Sequence, residues 1–286
     1  MDGKLREILS SKLSENEVKK VSNSFDIIGD IAVLRLDRQL EDKQGLIAEA
    51  VMKNHKRVKT VLNQVSPVSA SFRLRSLEWL AGERKTETEY KEFGCTFKVD
   101  LQTSYFSPRL SHERMRIARL VQPGETVTNM FAGVGTYSIV IAKHTKALRV
   151  YSIDLNPEAV RYMRLNILKN RVENVAEAIE GDAETIIRER LTNIADRVLM
   201  PLPETAFKYL PTALLALKKE GGWIHYYDFE YGKKPSTALK KVEEKVSADL
   251  EQNKVLYDLA LGRIVRHTGP HWYQIVLDVH VGNGIA

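Results

Sequence analysis

The sequence predicts an α/β protein: a doubly wound, mostly parallel sheet preceded by a smaller α+β domain. Three observations carry this. Apolar runs alternate with amphipathic stretches from about residue 126 to residue 229, the pattern of successive βαβ units. The first of those runs breaks on small residues at Ala132-Gly133-Val134-Gly135, and the second, Val150-Tyr151-Ser152-Ile153, ends on Asp154. Upstream of residue 103 the elements are shorter and mixed in type. A chain of 286 residues is long enough for both parts.

From the N-terminus, Leu5, Ile8, Leu9 and Leu13 recur at near three-and-four spacing and predict helix within residues 1–25. Phe25 to Leu36 reads as two short strands turning at Gly29-Asp30. A helix follows at about Gln44 to Asn54, then a strand at Val58 to Leu62. Thr86 to Lys91 and Cys95 to Leu101 alternate polar and apolar residues around Phe93-Gly94, which is the pattern of a hairpin. Together these elements make the small α+β domain, bounded at residues 1–103.

The second domain spans 104–286. A helix from Ser111 to about Leu120 carries Met115, Ile117, Ala118 and Leu120, and Pro123-Gly124-Glu125 punctuates it. Strands are expected at Thr126 to Phe131, 148–153, 175–180, 196–201 and Trp223 to Phe229. Helices are expected at about 135–144 and 157–170, and another from Glu204. The tail, Ile264-Val265-Arg266 and then Trp272 to Val279, reads as a closing hairpin with a long apolar last strand.

Bulk properties narrow the function. No apolar run approaches the roughly 20 residues of a membrane span, and Met1-Asp2-Gly3-Lys4 lacks the apolar core of a signal peptide. The expected compartment is the cytoplasm. A single cysteine, Cys95, excludes an internal disulfide and a cysteine-cluster metal site. A formal net charge of +6 permits a polyanionic partner without requiring one.

Glycine lets backbone approach a ligand closely, and an acid at the tip of the second strand can hold a ribose diol. The third glycine of a dinucleotide fingerprint is missing, so the pair argues for a cofactor with an adenosine and no pyrophosphate. S-adenosyl-L-methionine fits that description. Its expected contacts are Phe131, Ala132, Gly133 and Gly135 in the turn and Asp154 and Leu155 at the second strand. Asp182 and Ala183 after the third strand and Pro201 after the fourth complete the set. Asp154 is also placed to cap the helix starting at Asn156-Pro157. Asp182 reads either as a ligand of the adenine amino group or as another loop carboxylate.

Pro201-Leu202-Pro203 imposes an extended backbone poor in donors, whose free carbonyls can hold the exocyclic amino group of a flat base. Ser107-Pro108-Arg109, followed by Arg114, presents guanidinium groups suited to phosphate or carbonyl oxygens. Tyr226 reads either as a stacking surface for a base or as core packing. His225 reads as a strand histidine.

Several of these segments together resemble the archaeal and eukaryotic tRNA (guanine-37 N1)-methyltransferases. They are Phe106-Ser107-Pro108-Arg109-Leu110 with Glu113-Arg114, Met130 to Gly135, Asp196 to Pro203 with its Leu202-Pro203, and Gly222-Trp223-Ile224-His225-Tyr226-Tyr227. Arg73 to Glu83 and Gly94 to Asp100 are also similar to the segment before that family's catalytic domain. The resemblance runs from about residue 20 to residue 280. It implies a Rossmann-like class I methyltransferase sheet, S-adenosyl-L-methionine as cofactor, the anticodon stem-loop of tRNA as partner, and a monomer.

The resemblance further implies methyl transfer to N1 of guanine 37. A loop arginine, Arg109 first and Arg114 second, stabilises charge on the guanine O6, and an acid near the cofactor, Asp154, takes the proton. Two departures stand out. Where the family commonly has Asn-Leu-Pro or Asn-Pro-Pro, this chain has Pro201-Leu202-Pro203, and Asn129 replaces the acid often found before the glycine turn. An extra N-terminal module found in some members is expected to be absent. The sister family of wybutosine-pathway transferases, which move the aminocarboxypropyl group of the same cofactor onto a modified guanine 37, is the alternative. Arg109 and Pro203 favour methyl transfer over it.

Overall fold

The computed structural model describes residues 5–66 and 74–285; Arg73, part of the segment quoted above, lies outside them. The chain divides into two compact units, Met1–Arg109 and Leu110–Ala286.

In the first unit, α1 (Leu5–Leu9) buries both of its terminal leucines. α2 (Glu15–Lys20) starts on a reciprocal cap: the Ser14 hydroxyl accepts from the Glu17 N–H, and the Glu17 carboxylate accepts from the Ser14 N–H. β1 (Asp26–Ile28) and β2 (Ile31–Leu34) pair antiparallel around Gly29, as the pattern predicts. Gly29 has φ +58°, and a Cβ there would stand 2.2 Å from the Thr88 hydroxyl, so the turn needs glycine for both conformation and space. α3 (Gln44–Asn54) crosses to β3 (Thr60–Gln64), parallel to β2. β4 (Leu77–Gly82) then adds antiparallel. Residue-by-residue reading missed β4, because its side chains show no clear alternation and Trp79 stands exposed. The expected hairpin is β5 (Glu87–Glu92) and β6 (Cys95–Asp100), turning on Phe93 and Gly94, both at positive φ.

In the second unit, α4 (Ser111–Leu120) precedes β7 (Thr126–Asn129), α5 (Thr136–His144), β8 (Arg149–Asp154), α6 (Pro157–Asn170) and β9 (Ala176–Glu180). α7 (Ala183–Ile186), β10 (Arg197–Met200), α8 (Leu210–Ala216) and β11 (Gly222–Tyr231) follow. α9 (Pro235–Gln252), β12 (Val255–Gly269) and β13 (Trp272–Ile285) complete it. The sheet order is β12-β13-β11-β10-β7-β8-β9. β7 to β11 run parallel, β13 lies antiparallel to β11, and β12 is antiparallel to β13. The doubly wound sheet and its closing hairpin are therefore present, with the hairpin much longer than expected. Strand order reverses between β7 and β10, and in open sheets a crevice for ligands opens at the carboxyl ends there.

The two faces of β11 and β13 differ. Ile224, Tyr226, Ile275, Leu277 and Val279 join the apolar core with Ala238, Val242, Val246 and Leu250 of α9. That four-residue spacing, starting after Pro235 at the first helical turn, explains why α9 forms. The opposite face presents His225, Tyr227, Gln274 and Asp278, all buried.

Candidate active site

The turn after β7 is tied to β8. The Ala132 N–H donates to the Ile153 carbonyl at 2.8 Å, and the Gly133 N–H donates to Asp154 Oδ2 at 2.6 Å. Asp154 Oδ1 accepts from the Asn156 N–H at 2.9 Å. Gly135 opens α5 at φ +88°, and a Cβ there would lie 2.9 Å from Met163 Cγ and 3.1 Å from Ile139 Cδ1. The glycine thus serves helix packing beneath the turn as well as the turn itself. Burial raises the Asp154 pKa above the usual carboxylate range, opposed by its two backbone hydrogen bonds. The cap of α6 is Asn156, whose side chain accepts from the Glu158 and Ala159 N–H groups, so capping falls to Asn156 and not to Asp154.

Asp182 caps α7, with Oδ1 accepting from the Thr185 N–H at 3.1 Å, while Oδ2 accepts the Tyr209 hydroxyl at 3.2 Å. Burial and the neighbouring Asp182 raise the Tyr209 pKa. Phe131 meets the Tyr209 ring edge-on with centroids 5.1 Å apart. Tyr209 was not legible as a site residue, because it lies past the proline loop with no motif around it. Ala183 is buried in the core below.

These residues fit an adenosine-bearing cofactor. A carboxylate has about four acceptor positions, and the two that Asp154 spends on backbone leave capacity for a ribose diol. Leu155 beside it is 51% exposed and offers apolar cover. At the foot of the turn, the buried Asn129 Oδ1 has no partner among the described residues, while its Nδ2 donates to Ser138 Oγ at 3.1 Å.

The proline loop after β10 corrects one expectation. Its carbonyls are not all free: Met200 O accepts from the Leu202 N–H at 2.9 Å, and Leu202 O accepts from the Thr205 and Ala206 N–H groups at 3.2 and 3.0 Å. The single amide donor between the prolines folds the chain back on itself. Among the described residues the loop's own hydrogen bonds leave the carbonyl of the half-buried Pro201 unused, whereas Pro203 is buried.

A buried polar network lies under α4. Arg116 donates to Glu113 and Asp278 over 2.5–3.1 Å, and the Tyr227 hydroxyl donates to Glu113 Oε1 at 2.8 Å. The Tyr137 hydroxyl, in the first turn of α5, donates to that of Tyr227 at 3.4 Å. His225 Nδ1 is 2.6 Å from Asp278 Oδ1, and Nε2 is 2.7 Å from Arg197 Nη1. Arginine can only donate, so Nε2 accepts, Nδ1–H donates to Asp278, and the imidazole is neutral. Burial accordingly lowers the His225 pKa. Burial works against the Asp278 charge, yet the bonds from His225 and Arg116 hold its pKa well below the usual carboxylate range.

Ser107, Pro108 and Arg109 fall in the first unit, where the exposed Arg109 donates through Nε to Asp26 Oδ1 at 2.7 Å. Arg114 is fully enclosed on α4, its charge felt by the Tyr137 hydroxyl. Tyr226 is a correction. Its ring is entirely buried in the core facing α9 and its hydroxyl donates to Asp228 Oδ2 at 2.7 Å, so it has no face for a base. Alternation along β11 put Tyr226 on the apolar side. Glu113, noted in the sequence only as part of a motif, emerges as the buried acid of this end of the unit.

A family model described as the TRM5/TYW2 methyltransferase domain matches residues 88–256, and one described as the TYW2 N-terminal domain matches residues 5–86. The chain belongs to the TRM5/TYW2 methyltransferase family. Among its relatives, the tRNA (guanine(37)-N(1))-methyltransferase Trm5b of Pyrococcus abyssi is 38% identical over 90% of this chain and 74% of its own length. The tRNA(Phe) (4-demethylwyosine(37)-C(7)) aminocarboxypropyltransferase of Pyrococcus horikoshii is 33% identical over 97% of this chain and 96% of its own. A solved complex of aTrm5 with tRNALeu matches with a TM-score of 0.85 and 34% identity, covering 99% of this chain and 79% of that one.

Proposed function

We propose that the chain transfers the methyl group of S-adenosyl-L-methionine to N1 of guanine 37 in tRNA, acting as a monomer on the anticodon stem-loop in the cytoplasm. The observation that carries the reading is the glycine turn after β7, whose Gly133 N–H holds Asp154 at 2.6 Å, beside the proline loop that ends β10, the strand paired parallel with β7. Among the described residues, no helix is long and apolar enough to cross a membrane.

Asp154 holds the ribose, Asp182 and Phe131 border the adenine, and Ala132 and Gly133 bring backbone close to the cofactor. When bound, the cofactor supplies an electrophilic methyl group on a positively charged sulfur. The carbonyl of Pro201 accepts from the guanine amino group. Arg109 neutralises charge gathering on O6 as N1 loses its proton. Two carboxylates can take that proton: Asp154, raised by burial, and Glu113, which receives the Tyr227 hydroxyl. Asp154→Asn and Glu113→Gln separate them by single-turnover rate at saturating cofactor: the acceptor's variant loses rate there and the other's keeps it. The base must leave the loop stack to react, which costs a few kcal/mol.

The test is transfer of label from methyl-labelled cofactor to tRNA transcripts. A transcript with G37 accepts label and yields 1-methylguanosine, while transcripts with A37 or U37 stay unlabelled. Equal labelling of A37 would overturn the reading. Aminocarboxypropyl transfer to a modified guanine 37 is the second reading, favoured by the TYW2-type match of residues 5–86.

A further inference from the structure

We propose that the carboxyl end of the second unit carries a track for single-stranded RNA, built from the rings of Phe207, Tyr231 and Trp272 and from Lys241 and Lys245 of α9. It rests on the tRNA reading and names the surface that receives the nucleotides flanking the target base.

Met200, the last residue of β10, pairs with Tyr226, and β11 continues beyond it to Tyr231. The longer strand therefore projects past the proline loop on the side where the cofactor turn opens. Tyr231 pairs with Trp272, the first residue of β13, and lies 6.0 Å from both the Trp272 and His271 rings. Nearer the proline loop, Phe207 lies under Lys245, whose Nζ is 4.6 Å from the ring centroid. Lys241, one helical turn before Lys245, sits 5.8 Å from the Tyr231 centroid and donates to the Tyr231 carbonyl at 2.8 Å. The Phe207–Lys245 and Tyr231–Lys241 contacts thus lie one helical turn apart on α9.

Phe207, Tyr231 and Trp272 are 37%, 42% and 47% exposed. Their separation by ammonium groups does not suit a protein partner, which would need a continuous apolar centre. It does suit a strand of nucleotides, whose bases stack on rings while phosphates lie near lysines. The lysines are also partly neutralised: Lys245 pairs with Asp228 at 2.8 Å and Lys241 with Glu230 at 3.1 Å. Those pairs fix the ammonium heads beside the rings and shift the weight of binding from charge to stacking.

The experiment measures affinity of the full chain for fluorescein-labelled anticodon-loop RNA by anisotropy, beside affinity for S-adenosyl-L-methionine. Tyr231→Leu and Trp272→Leu should each weaken RNA binding about 5- to 100-fold, the range for removing one stacking ring, with cofactor affinity unchanged. Trp272→Phe should restore most of the loss. Phe207→Leu, on a different element, supplies an independent variant should either strand substitution disturb the hairpin. RNA affinities equal to the parent in Tyr231→Leu and Phe207→Leu would overturn the track. Failure of the parent to methylate G37 would instead count against the proposed reaction while the anisotropy result still stands.

Discussion

The glycine turn after β7 and the proline loop after β10 cap adjacent strands, yet they are built in opposite ways. The turn spends the Gly133 N–H on a carboxylate, so that Asp154 is already oriented by Gly133 and Asn156. The proline loop has almost no donors. It uses its one internal amide to close on Met200 O and presents carbonyls alone. One half offers a prearranged charged acceptor, the other neutral acceptors and neighbouring rings. Substitutions in the first should therefore move cofactor affinity, and substitutions in the second should move RNA recognition.

The largest expected effect tests the scaffold shared by both halves. Arg116 bridges two buried acids, so Arg116→Leu removes the cation they share and leaves Glu113 with Arg263, at 3.8 Å. Breaking such a buried pair costs about 3–5 kcal/mol. Denaturant unfolding should show that loss, and a variant as stable as the parent would mean the network carries no structural weight.

Next, Asp154→Ala should weaken cofactor binding by about 1.5–3 kcal/mol, the range for hydrogen bonds to a charged group. Isothermal titration with S-adenosyl-L-methionine should show it, with RNA affinity retained. Loss of both affinities together would break the division between the halves. A smaller effect is expected at the other end. Pro201→Asn adds a side-chain amide to the loop and should lower the KM for tRNA by about 0.5–1.5 kcal/mol of added hydrogen bonding.

The smallest effect is on pH. His225 is held neutral, its pKa below the usual value. Below about pH 6.5 the unfolded chain takes up a proton on this residue that the folded chain refuses. The folded state must then lose stability as pH falls through that region. His225→Asn should flatten the slope of unfolding free energy between about pH 7 and pH 5.5 relative to the parent; an unchanged slope would mean another group sets it.

Much of this architecture was written in periodicity. Alternating apolar runs placed the parallel strands, and Gly133-Val134-Gly135 with Asp154 located the cofactor end before any geometry was available. α9 was equally legible in Ala238, Val242, Val246 and Leu250 but lacks a chemical motif, and the reading passed over it. Partner choice was not legible. Nothing local tells Arg116 that its second acid is Asp278, 162 positions away, or that Tyr209 will hold Asp182. Tyr226 failed for a related reason: a strand tyrosine near a site can face either layer, and only the register of β11 against α9 decides. The prolines at 201 and 203 were read correctly as donor-poor, whereas the inward fold of Leu202 needed coordinates.

The reaction itself remains the most direct point of contact with experiment. Parallel reactions on a G37 transcript would use cofactor labelled in the methyl group and cofactor labelled in the carboxyl group. The account predicts label in RNA from the methyl-labelled cofactor alone. Label retained only from the carboxyl-labelled cofactor would contradict it and establish aminocarboxypropyl transfer in its place.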